Sequence, residues 1–377
     1  MYPTEGLGTP ENTYYVRGDV KISFTQEKNS AIVKFVDFDG RTIGTPQTVS
    51  HGESVTAPAD PIRAEDDYTY GFAGWNIPAG FGTLENIEIL SDETDVITIT
   101  ATYTETYRAN YLNFELLSDE TYEVVGLKDG QNVENLYIPS TYNGRKVTSI
   151  RENSFSFMHC LNNVAIKTVE ISDSVTNIGR MVFEMCINLE SVKLPSGLTT
   201  ISESLFMSCE NLVNITIPNS VKTIENFAFD NCKKLKDIMI PSGVTIIDDH
   251  VFNDCLSLTS IIIPSSVKSI GVQTFRQCEN LESVTLSDGL INIGTQAFQS
   301  CSLTSVTIPS SVENIEPYVF IGCVNLVSVE FKNQEGWNLT SSLDDTTGKA
   351  IDVSDASINA TNYFNDSVLN GYYWKRN

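Results

Sequence analysis

The chain has 377 residues, 41% hydrophobic and 19% charged, a composition that describes a folded protein and excludes a disordered one. Its 24 basic and 48 acidic side chains give a formal charge of −24, which disfavours nucleic acid and anionic membrane as partners. The sequence holds no apolar run of about 18 residues, so it predicts no membrane-spanning helix.

Residues 1–30 are polar with scattered aromatics such as Tyr14, Tyr15 and Phe24. They read as a linker or the end of an upstream segment, with a strand expected over Val20 to Thr25. Residues 31–107 carry 3 basic and 13 acidic side chains and read as a separate β unit. Its elements follow in order. Ile32 to Phe38 is a strand, Asp39-Gly40 a hairpin turn signal, and Arg41 to Ser50 a returning strand. Ala57-Pro58-Ala59-Asp60-Pro61 is a stiff connector. Tyr68 to Trp75 leads to a core tryptophan. Asn76 to Thr94 is a long loop. Val96 to Tyr103 closes the sheet, with threonines on one side and Ile97, Ile99 and Ala101 on the other. The first strand, the stretch Gly52-Glu53-Ser54-Val55, the Phe72-Ala73-Gly74-Trp75 segment and the terminal Thr98 to Tyr103 together resemble the internalin-type B-repeat. That resemblance implies a small β-grasp-like module that serves as a spacer or a weak adhesive element of a bacterial surface protein.

Beyond residue 108 the sequence becomes periodic. Phe-x-x-Cys recurs every 23 residues from Phe183/Cys186 to Phe298/Cys301 and closes one residue early at Phe320/Cys323. A fixed period of this length is the signature of a solenoid, in which each repeat is one coil. The first coil carries extra residues, so Phe155/Met158 and Phe157/Cys160 are rival registers there. A Leu-x-x-Val-x-Ile-Pro segment recurs at Leu189, Leu212, Leu235, Leu258 and Leu303. Leu281 and Leu326 keep it without the proline. Period-2 apolar residues ending in proline describe a short strand. A second pair, exemplified by Val221/Ile224 and Val267/Ile270, supplies further inward residues, and a phenylalanine stack is expected through the core. Tyr122 to Ile150 reads as a degenerate N-terminal cap. Residues 332–377 lack the period, and Trp337, Tyr372, Tyr373 and Trp374 suit a C-terminal cap.

This periodic pattern resembles the BspA-type leucine-rich repeat family over residues 108–331. The fold expected is mainly β: a leucine-rich-repeat solenoid of 23-residue coils with parallel strands, preceded by the β-grasp-like domain. The expected divisions are 1–30, 31–107, a cap at 108–150, the solenoid at 151–331 and a cap at 332–377. The resemblance implies an extracellular, surface-bound protein whose activity is adhesion or binding to other proteins and cells. Met1 to Glu5 shows no leader and Trp374 to Asn377 no sorting signal. The export and anchoring segments are therefore expected to lie outside this chain, with a cytosolic protein as the alternative.

The eight cysteines sit mostly at one repeat position and read as buried free thiols. A ladder disulfide and a metal site are the alternatives, and no Cys-x-x-Cys supports the metal. No catalytic motif appears: there is no Gly-x-Ser-x-Gly, His-Glu-x-x-His or phosphate loop. His51, His159 and His250 read as structural or solvated, as do Asp248-Asp249, Asp344-Asp345, Asp352 and Asp355. No enzyme and no cofactor are expected.

Side chains alternate along a strand, so the third and fifth positions of each Leu-x-x-Val-x-Ile segment face away from the core. They form a lane of Ser191, Lys193, Asn214, Thr216, Asp237, Met239, Ser260, Ile262, Ser283, Thr285, Ser305 and Thr307, continued by Ser328 and Glu330. One reading is plain packing of small β-compatible residues. The other is a contact surface for an extended partner, with Met239 and Ile262 as its apolar centre. The partner expected is a host, matrix or bacterial surface protein, or a glycan, with neither nucleic acid nor membrane insertion. A spacer that presents other domains and a carbohydrate-binding accessory protein are the rival functions. The second requires aromatic platforms, for which Trp337, Tyr372, Tyr373 and Trp374 are the candidates.

Overall fold

The computed structural model describes residues 13–16, 20–23, 30–37, 39–61, 64–65, 67–89, 96–157, 165–342, 348–364 and 371–376. Phe24, Thr25, Phe38, Met158, His159, Cys160, Asp344 and Asp345 lie outside them. Two compact units divide the chain, residues 1–108 and 109–377.

In the first unit the backbone of the stretch read as a linker forms a hairpin, Thr13–Val16 against Val20–Ser23. A five-stranded sheet follows, in the spatial order Gln47–Ser50, Ser30–Val36, Val96–Tyr107, Tyr68–Asn76 and Ala64–Glu65. Ser30–Val36 and Val96–Tyr107 run parallel, and the other neighbours are antiparallel. Val33, Phe35, Ile97 and Ile99 bury one face, with Trp75 edge-on to Phe35 at 4.8 Å. The return strand is shorter than the sequence suggested. Thr42 makes one bridge to Val36, and pairing resumes only at Gln47. Gly44 in the left-handed region (φ 70) and Pro46, which has no N–H, interrupt it. The long loop is not structureless: Gly82–Thr83 pairs with Asn86–Ile87, and Ile87 and Ile89 complete the core.

The second unit is a leucine-rich-repeat solenoid. Most coils give one short strand to each of two parallel ladders. The first ladder holds Asn135–Ile138, Thr168–Ile171, Ser191–Lys193 and Asn214–Ile215, then Ser260–Ile263 with Ser283–Leu286, then Ser305–Ile308 with Ser328–Phe331. The second runs unbroken from Thr200–Ile201 to Asn314–Ile315. Between the ladders lies the phenylalanine column. Phe155, Phe183, Phe206, Phe229, Phe252, Phe275, Phe298 and Phe320 are all fully buried, and neighbouring centroids are 5.3 to 5.7 Å apart. Phe155 therefore sets the register of the first coil, and Phe157 is exposed.

The seven described cysteines are free and buried. Each thiol donates to the phenylalanine carbonyl of the preceding coil, as from Cys209 Sγ to Phe183 O at 3.1 Å and from Cys278 Sγ to Phe252 O at 3.1 Å. A cysteine fits because it is small, apolar and still a donor. A third stack joins the coils at the turns. Met181, Ser204, Phe227, His250, Gln273, Gln296 and Tyr318 all lie in the left-handed region, with φ between 53 and 64. In all but Tyr318, on the last coil, that conformation aims the N–H group at the next coil, as from Met181 N to Glu203 O at 2.9 Å.

Both ends of the first ladder are closed by side chains. At the N-terminal end Tyr111 Oη accepts from Tyr137 N at 2.8 Å, on the outer strand of the ladder. At the C-terminal end the buried Asn359 amide donates to Val329 O and Val353 O, each at 2.9 Å. The phenylalanine column ends on Phe364, edge-on to Phe320 at 5.1 Å, and Trp374 stacks on Phe364 at 4.4 Å. Trp374 lies in Tyr373–Arg376, which pairs antiparallel with Asn314–Ile315 and so finishes the second ladder. Among the described residues no helix is long and apolar enough to cross a membrane.

Candidate functional site

The solvent face of the first ladder collects the lane residues. Ser191, Lys193, Asn214, Thr216, Asp237, Met239, Ser260, Ile262, Ser283, Thr285 and Ser305 are exposed, and Thr307 is half-buried. Ladder register places them side by side, as in Ser191 beside Asn214, Ile262 beside Thr285 and Ser305 beside Ser328. Valines and isoleucines between them, such as Val192, Ile215, Ile261 and Val306, point into the core. The lane extends one coil further than the sequence reading, through Thr168 and Glu170, which pair with Ser191 and Lys193. The irregular first coil hides that repeat; the alternation of Val169 and Ile171 is its signal.

The lane is not uniform. Its middle coil, residues 237–240, has the full apolar pattern, yet Asp237 makes only an isolated bridge to Asn214 and no strand forms. Ile238 and Ile240 remain buried, so the coil is packed but its ladder is interrupted. An open depression of about 850 Å³ lies there, walled by Asn214, Thr216, Asp237, Met239, Ser260 and Ile262 among others. Met239 is 82% exposed and Ile262 64%. Isolated apolar exposure is ordinary; here two large neighbouring side chains are exposed together and rimmed by polar groups, which makes this the candidate site. A second interruption separates Ser283–Leu286 from Ser305–Ile308. It coincides with the coil that is one residue short between Cys301 and Leu303.

Charge along the lane is mostly internal. Lys193 Nζ lies 2.8 Å from Glu170 Oε1, one coil away. Asp237 is the one charged side chain lining the depression. Nothing in the lane pairs an acid with a base at catalytic geometry. The other singled-out residues have structural tasks. His51 Nδ1 accepts from Ile89 N at 3.1 Å, and His250 stacks on Phe227 at 4.6 Å. Burial, with Asp249 and Glu225 nearby, raises the Asp248 carboxyl above its ordinary range. Asp249 accepts from Val272 N at 2.7 Å. Asp355 caps a short helix through Ser357 N and Ile358 N, and the hydroxyl and backbone donors of Ser354 lower the Asp352 carboxyl. Among the described residues no group of three or more His, Cys, Asp or Glu side chains is placed to hold a metal.

Of the four aromatic candidates for a carbohydrate platform, Tyr372 is exposed and Tyr373 half-buried, while the two tryptophans are closed to a ligand. Trp337 and Trp374 are buried in the C-terminal cap, against Phe331 and Phe364. An end coil must cover its apolar face, and these rings do that. An exposed apolar pair that sequence reading missed is Val324 and Val327, 86% and 66% exposed on the last coil. Neither lies in the lane columns that the repeat makes visible.

Two parallel ladders per coil, an inward phenylalanine column and capped ends define a leucine-rich-repeat protein. The chain belongs to the BspA type leucine rich repeat family, whose profile matches six copies over residues 153–278 and 245–362. It is similar to a leucine rich repeat protein of T. pallidum at 27% identity, over 51% of this chain and 87% of that one, with a TM-score of 0.46. A leucine-rich repeat protein from Bacteroides ovatus is 27% identical over 60% of this chain and 65% of that one, with a TM-score of 0.48. A leucine rich cell surface protein from Faecalibacterium prausnitzii is 26% identical over 66% of this chain and 61% of that one, with a TM-score of 0.46. The chain thus spans less than two thirds of the length of the latter two. No curated protein matches it.

Proposed function

We propose that this protein is a non-catalytic recognition module of the bacterial cell surface that binds a partner protein across its strand lane and so mediates adhesion. The observation that carries this reading is the juxtaposition of Met239 and Ile262, both exposed, over a depression at the interrupted coil. Family membership supports the location, because proteins of this family are typically found at the cell surface. The first unit, in this reading, is a B-repeat-like spacer. Its parallel pairing of the first and last long strands supports that.

The test is Met239→Asp with Ile262→Asp, compared with the unaltered protein for binding to an array of host matrix and bacterial surface proteins. Truncation or charging of a central apolar anchor costs about tenfold or more in affinity. Both side chains are exposed, so circular dichroism and melting temperature should not change. Undiminished binding by a folded double variant would remove the strand lane as the site.

A further inference from the structure

We infer that the partner segment is an extended, basic stretch of polypeptide lying along the solenoid axis, with an aliphatic side chain over Met239 and Ile262 and cationic side chains at Asp237 and Glu330. This rests on the strand lane being the docking surface.

The argument begins with charge left over after internal pairing. Lys193, the one basic residue at the outward positions of the repeat, is held by Glu170 at 2.8 Å. Asp237 and Glu330 are exposed, and neither has an ion pair or side-chain hydrogen bond among the described residues. Lys236, next to Asp237 in the chain, makes no ion pair with it. The free charge of the lane is therefore acidic, on a chain whose total is −24. Complementarity selects a basic partner and rejects polyanions.

Spacing adds the length. Asp237 and Glu330 are four coils apart, and coils stack at about 4.8 Å, so with the lateral offset the carboxylates stand about 20 Å apart. An extended chain covers that distance in about six residues. Between them Ser283, Thr285, Ser305 and Thr307 offer hydroxyls that both donate and accept. Strand addition at the ladder ends is opposed, because Tyr111 occupies the Tyr137 N–H at one end and Asn359 the Val329 carbonyl at the other. Recognition therefore uses side chains on the face of the ladder. A glycan would need an exposed ring for stacking, and the lane residues include none.

The experiment measures fluorescence anisotropy of four labelled decapeptides on the full chain. The first is Thr/Ser-rich, with leucine at position 4 and lysine at positions 2 and 8. The others carry glutamate or glutamine in place of both lysines, or serine in place of the leucine. Only the lysine–leucine peptide should bind well. Asp237→Asn and Glu330→Gln should each weaken it about three- to fivefold, and raising salt from about 50 to 300 mM should weaken it further. Equal binding of the glutamine peptide, lost in Met239→Ser with Ile262→Ser, would overturn the basic partner and leave the docking surface standing. Preference for the glutamate peptide, or indifference of the lysine peptide to Asp237→Asn and Glu330→Gln, would also overturn the inference. Binding unaffected by Met239→Ser with Ile262→Ser, or no binding by any peptide, would remove both readings.

Discussion

Phe252 sits between Phe229 and Phe275 with centroids 5.4 Å away on either side, so it has no open space into which a truncated side chain could relax. Phe252→Ala should cost about 3–5 kcal/mol, the lost transfer energy plus a cavity whose walls are themselves rigid rings. Urea denaturation reads that number, and a loss below about 1 kcal/mol would mean that the column is not a packed core. The aromatic residues outside the column follow the same logic. Trp337 and Trp374 are buried cap residues, whereas Tyr372 is exposed. Residue type alone made all of them candidates for a ligand platform; their neighbours assign the tryptophans to packing.

The ladder of thiols behaves as an element rather than as separate residues. Burial pushes every thiol from Cys209 to Cys323 upward, Cys323 to about 12. An unfolded thiol titrates near pH 8.5, so above that pH the unfolded chain releases protons that the native chain retains. The contribution to stability is full below about pH 8.5 and is lost as pH rises toward the folded values, by about 1.4 kcal/mol per pH unit for each thiol. The melting temperature should fall steeply between about pH 8.5 and 10. A thiol reagent at pH 8 should leave Cys186 to Cys323 untouched in the native protein and reach them in denaturant. Rapid reaction of these seven in native conditions would contradict the buried ladder. How much of this element could be read from sequence depends on the kind of signal. Phe183, Cys186 and their successors recur at a fixed spacing, so the column was legible. The left-handed turns were not, because Met181, Phe227, His250 and Gln273 occupy positions where glycine would announce a positive φ, and the last coil has Tyr318 there. The interruption at 237–240 was hidden for the opposite reason, since Leu235, Ile238, Ile240 and Pro241 keep the pattern perfectly. The outward direction of Met239 and Ile262 followed from alternation, but the depression between them depends on pairing that sequence does not encode.

At the scale of the whole solenoid, stability is a sum of coil terms and nearest-neighbour interfaces. Damage at one end should therefore stay local. Asn359→Ala removes two hydrogen bonds and leaves buried carbonyls of Val329 and Val353 unpaired, a cost of about 2–4 kcal/mol. Amide exchange should accelerate in Ser328–Phe331 and Ser305–Ile308, and remain slow in Thr168–Ile171. Uniform acceleration would show a globally cooperative unit instead. The two end plugs, Tyr111 and Asn359, have one more consequence. A solenoid's first coil and last coil are complementary by construction, because each presents the surface that its missing neighbour would cover. Stacking one molecule on the next is a head-to-tail contact that never closes, and such contacts build filaments. Tyr111 and Asn359, by occupying backbone groups that an incoming coil would pair with, oppose that contact at both ends of the first ladder.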